Sequence, residues 1–196
     1  MTKKTRMLGV ILASAVVLFT ACIEGYAEEP DYVGHNQCRI CHNRKDEGEQ
    51  WNKWKAGPHA SAFEILSGDA AKEVAAELGL EKPPVEAPEC LKCHVSTYDV
   101  EILEPHDKIK MADGVQCESC HGPSSIHIAE GKKFKSGDET ANPTALAVHP
   151  GVEVCLACHN DESPTWDPAR YTLEDGSTSG FDFEQAWAKI DHSKPE

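Results

Sequence analysis

The sequence predicts a mainly α-helical chain with extensive loops, and three observations support that fold class. Apolar residues recur at helical spacing in three segments. Proline and glycine pairs, among them Pro83-Pro84 and Gly122-Pro123, mark turns between those segments. No run of residues alternates between apolar and polar side chains as a half-buried strand does. We therefore expect short helices joined by irregular segments.

The first predicted helix runs from about Glu49 to Phe63, with Trp51, Trp54 and Phe63 at helical spacing. Gly57-Pro58 should kink or divide it, because proline lacks the amide hydrogen that a helix interior requires. This segment presents two tryptophans that could pack against a large planar ligand.

Two further helices are predicted from their end signals. One covers about residues 69–78, with Asp69 as the candidate N-cap and Gly79 as the stop. The other begins at Asp182 and continues to about Asp191.

A Cys-x-x-Cys pair followed directly by histidine occurs four times, at residues 38–42, 90–94, 117–121 and 155–159. This pentapeptide is the attachment motif of c-type haem, in which two cysteines bond the porphyrin and the histidine is the proximal iron ligand. A zinc site or a redox dithiol would explain the cysteine pairs, but not a histidine at the same offset each time. The attachment residues are Cys38, Cys41, Cys90, Cys93, Cys117, Cys120, Cys155 and Cys158, and the proximal histidines are His42, His94, His121 and His159.

Four haem c groups are a large cofactor load for so short a chain. Residues 28–196 are expected to form a single tetrahaem domain. The haems should supply most of its hydrophobic core, with protein wrapped around them. The predicted architecture is a multihaem cytochrome c fold.

Residues 1–27 have the features of an export signal. Lys3, Lys4 and Arg6 precede an apolar stretch, and Ala27 ends a small-x-small cleavage site. Alternatively, residues 18–22 form a loose lipobox, so that the signal ends before Cys22, which would carry a lipid anchor. Both readings predict a periplasmic protein or one exported to the outer surface.

The formal net charge is −14, and removal of residues 1–27 makes it −16. This charge argues against nucleic-acid binding and favours redox protein partners with basic docking surfaces. The small basic cluster Lys132-Lys133-Phe134-Lys135 could dock an acidic partner, although a solvated loop is the expected structure there.

Six histidines remain as candidate distal ligands: His35, His59, His106, His127, His149 and His192. A sixth ligand gives low-spin, electron-transferring iron, whereas its absence leaves a face open to small molecules. His35 lies too close to Cys38 to reach over its own haem and is expected in a supporting or surface position.

The order of motifs resembles the tetrahaem cytochrome c-554 family, the electron acceptor in hydroxylamine oxidation. The matching segments are residues 51–63 with His59, the string Gly114 to Pro123, the Ser163-Pro164-x-Trp166 loop and the closing segment from Phe181 to His192. The resemblance implies electron transfer with three bis-histidine haems. It implies His127 as distal ligand opposite His42, His59 opposite His121, and His149 opposite His159.

The second haem, with proximal His94, has no assured sixth ligand. The resemblance implies an open face, but His106, His192 or a histidine from another subunit could close it. An open face would allow a small nitrogen-oxide reductase activity, with Glu101, Glu104 and His106 as nearby proton donors. A ligand from another subunit would instead make the chain a unit of a conducting filament.

Overall fold

The computed structural model describes residues 29–96, 98, 108–144 and 150–193. The predicted signal with Cys22, the predicted ligand His149, and Glu101, Glu104 and His106 lie outside the described residues. Within the described ranges, no helix is long and apolar enough to cross a membrane.

The described chain is mainly helical with extensive loops, which confirms that part of the predicted fold class. The α-helices are α1 His35–His42, α2 Gln50–Ala56, α3 Asp69–Glu77, α4 Pro88–His94, α5 Cys117–His121, α6 Ser125–Lys135, α7 Val152–Leu156 and α8 Phe183–Ile190. Single turns of 3₁₀-helix span Lys45–Glu47, Pro58–Ser61, Glu64–Ser67 and Met111–Asp113. The strands β1 Tyr171–Thr172 and β2 Thr178–Ser179 pair antiparallel.

Helix ends follow the chemistry of the flanking residues. The first predicted helix divides at Gly57, where α2 ends and the Pro58–Ser61 turn begins. Helix α8 begins as predicted, because the Asp182 carboxylate accepts a hydrogen bond from the Gln185 amide. Gly79, with φ +66°, follows the end of α3.

Two expectations about local structure were wrong. The N-cap of α3 is Gly68, and Asp69 instead lies in the first turn, where it pairs with Lys72. Residues 132–135 form the last turn of α6 rather than a loop, since the apolar residues Ile126 and Ile128 begin a helix before them. The β1–β2 hairpin is too short to show the alternation by which strands are recognised.

The side chains alone form a small core. Leu66, Leu91 and Val95 are its buried centre, with Phe63 and Tyr98 among the partly buried residues packed against them. No large side chain among the described residues is fully buried. This cluster lies beside α4, so it positions the second attachment motif.

Candidate haem sites

The attachment motifs lie on short helices or helical turns, and their sites are numbered first to fourth in chain order. The first motif forms the end of α1, the second occupies most of α4, and the third makes up α5. The fourth begins in α7 and continues as a turn, in which the His159 amide donates to the Cys155 carbonyl at 2.9 Å. Residues three apart share a helix face, so each cysteine pair can reach one porphyrin edge. All eight motif cysteines are free and partly buried.

Three pairs of histidine rings face each other with centroids 6.0 to 6.1 Å apart: His42 with His127, His59 with His159, and His121 with His192. A metal–imidazole bond is about 2 Å long, so two imidazoles on opposite faces of one metal have ring centres roughly 6 Å apart. Each pair contains one motif histidine. The first, third and fourth sites therefore have the separation of bis-histidine iron.

The partners differ in part from those that the resemblance implied. His127 lies opposite His42, the implied partner. His59 lies opposite His159 instead of His121, and thus takes the position implied for His149. His192, considered above for the second site, lies opposite His121. The 3₁₀ turn after Gly57 directs His59 to the fourth site, and the carbonyl of Ile190 at the end of α8 holds His192 Nδ1 at 2.8 Å.

The proximal histidine of the second site is held from one side. Its Nδ1 lies 2.6 Å from the Ala62 carbonyl oxygen, which leaves Nε2 of His94 for a metal. Among the histidines that the structure describes, none has its ring against that of His94; His35 instead packs on Trp51 and Trp54.

A cavity of about 500 Å³ holds the first and third sites. Cofactor pockets are mostly apolar, with a small number of polar groups that fix the ligand. Its lining includes Trp51, Trp54, Ile128 and Trp187 together with both cysteine pairs and the four facing histidines. The lining is therefore suited to a large, mostly apolar ligand that also binds histidine.

The donor groups fit haem iron chemically. Burial lowers the pKa of His42, His59 and His159, so these imidazoles are neutral near pH 7, the form that binds metals. Nδ1 of His127 is buried without a hydrogen-bond partner. A buried nitrogen without a partner is costly unless a ligand satisfies it.

Comparisons with known proteins identify the family of this chain. Residues 37–122 match the family model described as cytochrome c554 and c-prime. Cytochrome c-554 of Nitrosomonas europaea is 32% identical over 174 residues, which cover 80% of this chain and 70% of that protein. The chain belongs to the cytochrome c-554 family. No solved structure matches it. Membership in this family implies covalently bound haem c and electron transfer by a c-type cytochrome.

In this member of the c-554 family, the first and third motifs are joined by a buried carboxylate. Glu118, between the cysteines of the third motif, is 3% exposed. It accepts hydrogen bonds from the amides of Val33 at 3.0 Å, Gly34 at 2.7 Å and Ser124 at 2.9 Å. Burial raises the pKa of Glu118, while these amides oppose that rise. Our sequence reasoning did not single out this residue, although a glutamate inside the motif was visible.

Cysteine contacts extend that junction. A hydrogen bond with Cys117, and then burial, raises the pKa of the Cys38 thiol, so the first and third motifs are in direct contact. The attachment edges of these two sites are therefore neighbours.

The remaining cysteines indicate the spatial order of the other sites. Burial, and then the charge of Cys155, raises the pKa of Cys120, which puts the third motif beside the fourth. Burial, followed by charge and hydrogen bonding from Cys93, raises the pKa of Cys158 to about 12. The fourth motif thus lies beside the second. The sites follow one another in the order first, third, fourth, second.

His35 has a supporting position and is buried, at 6% exposed, rather than at the surface. Trp51 Nε1 donates to its Nδ1 at 3.0 Å, and its Nε2 lies 3.4 Å from Asp113. Its amide donates to the Gln116 side chain at 3.0 Å. Burial lowers the pKa of His35, although Asp113 raises it. His35 thus fixes the start of α1 and the ring of Trp51.

Proposed function

We propose that the protein transfers electrons outside the cytoplasm through four covalently attached haem c groups, three of them held between two histidines. The observation that carries this proposal is the set of three facing histidine pairs, each built from one motif histidine and one distant histidine. When bound, haem iron supplies a one-electron couple, and two histidine ligands keep it low-spin.

The chain's own residues hold and order the four sites. The first site uses His42 and His127, the third His121 and His192, and the fourth His159 and His59. The carbonyl of Ala62 orients His94 at the second site. Because neighbouring motifs lie near one another in the order first, third, fourth, second, we expect electrons to move between sites in that order.

The proposed location is the periplasm or the outer surface, supported by the export features of residues 1–27. The net charge of −14 supports redox partners with basic docking surfaces. The excess of acidic side chains would attract such partners and repel nucleic acid.

Intact mass under denaturing conditions tests the number of haems, since the mature chain should carry four. Any other number would overturn the tetrahaem proposal.

The wild-type electron paramagnetic resonance spectrum tests whether the iron of the second site has a sixth ligand. A high-spin ferric signal from about a quarter of the iron would indicate an open face, and wholly low-spin iron would indicate a sixth ligand.

The His192→Ala variant tests the histidine pairs directly. Removal of one of two facing rings at the third site should add high-spin signal from about a quarter of the iron over the wild-type spectrum. Ser193→Ala, at the next residue, is the matched control and should leave the spectrum unchanged. Identical spectra for His192→Ala and wild type would overturn the proposed ligation of the third site.

A further inference from the structure

The charged residues that line the cavity of the first and third sites are mostly basic, whereas the whole chain is acidic. Five charged residues line this cavity, namely Lys53, Lys132, Lys135, Lys189 and Asp191. The whole chain has a formal net charge of −14. We call these four lysines the lysine rim, and we propose that the rim docks an acidic redox protein. This inference rests on the proposed electron-transfer function and adds the chemistry of one partner.

The lysine rim is assembled from three helices, so it is a feature of the fold and not of one sequence run. Lys53 comes from α2, Lys132 and Lys135 from α6, and Lys189 from α8. All four side chains are exposed. Neither Lys132 nor Lys135 forms an ion pair with another residue in the described part of the chain. No carboxylate of the described chain therefore neutralises these two charges.

Exposed apolar side chains accompany the lysines. Ile40 lines the same cavity between the cysteines of the first motif, and its residue is 60% exposed. Phe134 is 59% exposed and lies seven residues after His127 on α6, hence on the same helix face. Protein interfaces combine an apolar centre with a polar, charged periphery. A partner seated here would contact the first attachment motif itself.

The segment around the second site carries a net negative charge. Residues 64–94 contain seven acidic and three basic side chains. Like charges at an interface suppress the wrong encounter, and opposite charges speed the right one. An acidic partner is thus directed to the first site and away from the second, at the other end of the order of sites.

A competing role for the lysine rim is neutralisation of the haem propionates within the cavity. The two roles give different results. If the lysines pair with propionates, their removal should shift the reduction potentials at every salt concentration. If they dock a partner, their removal should slow the reaction only at low salt and leave the potentials unchanged.

The test is stopped-flow oxidation of the fully reduced, haem-loaded protein by plastocyanin, an acidic copper protein, at low and high ionic strength. The double variant Lys132→Gln/Lys135→Gln is compared with Lys72→Gln/Lys82→Gln, which removes the same charge from exposed lysines in the acidic segment. At low salt the first variant should react about tenfold more slowly than wild type, and the second within about twofold of it. High salt should remove the difference, with potentials unchanged by spectroelectrochemistry.

Equal slowing of both variants would overturn the docking proposal, as would a slowing that persists at high salt with shifted potentials. Oxidation by an uncharged quinone separates this proposal from the function on which it rests. If quinone oxidises wild type and both variants at the same rate, electron transfer is intact and the plastocyanin result concerns docking alone. Failure of the reduced wild-type protein to react with either oxidant would count against the proposed function.

Discussion

Replacement of Glu118 by glutamine should destabilise the fold strongly, because this carboxylate is the junction between two attachment motifs. Its two oxygens accept from three backbone amides in a site that is 3% exposed. A net hydrogen bond to a charged group contributes about 1.5–3 kcal/mol. Glutamine keeps one neutral acceptor and turns an amide nitrogen toward the remaining donors. We therefore expect a loss of about 2–4 kcal/mol in the free energy of unfolding.

Urea unfolding of the oxidised, haem-loaded protein, followed by far-ultraviolet circular dichroism, measures this loss. Glu73→Gln, an exposed change on α3, is the matched control and should remain within about 0.5 kcal/mol of wild type. Hydrogen exchange adds a local readout, since the amides of Val33, Gly34 and Ser124 should lose protection. A loss below about 1 kcal/mol for Glu118→Gln would refute the reasoning that these charged hydrogen bonds hold the junction.

Two further predictions concern stability. Burial lowers the pKa of His35 in the folded protein. The stability that neutral His35 contributes is therefore present above about pH 6.5, and it is lost as the pH falls through the lowered pKa of the folded state. The free energy of unfolding should therefore fall less steeply between pH 7 and pH 5 in His35→Gln than in wild type, and equal slopes would contradict this. Gly114 has φ +67°, and a Cβ there would collide with the His59 carbonyl oxygen. Gly114→Ala should therefore lose about 1–3 kcal/mol more by urea unfolding than Gly176→Ala, where φ is +84° and space is open; equal losses would contradict the close approach.

Local signals were sufficient where the chemistry is local. The haem motifs are contiguous pentapeptides, so their residues could be named from spacing alone. Asp182 was recognisable as a cap because its partner, Gln185, is three residues away. Asp69 was misassigned because Gly68, which lacks a capping side chain, provides the extended N-cap backbone instead.

The distal histidines could not be assigned from local signals. Which ring faces His121 depends on how α8 folds back over the cavity, and no spacing within the chain encodes that return. The resemblance supplied His127 for the first site, but gave His59 a different partner from the one the structure shows. Similarly, the role of Glu118 depends on Val33 and Gly34, more than eighty residues away along the chain.

The angles between the facing imidazoles have a magnetic consequence. The ring planes of the first site lie 19° apart, whereas those of the fourth and third sites lie 66° and 73° apart. Nearly parallel rings separate the two iron orbitals that receive imidazole π density, and crossed rings leave them almost equal in energy. Under the proposed ligation, ferric iron at the third and fourth sites retains orbital angular momentum that the first site loses. The first site would thus differ in magnetic anisotropy from the third and fourth sites, which gives spectroscopy a way to distinguish it from them.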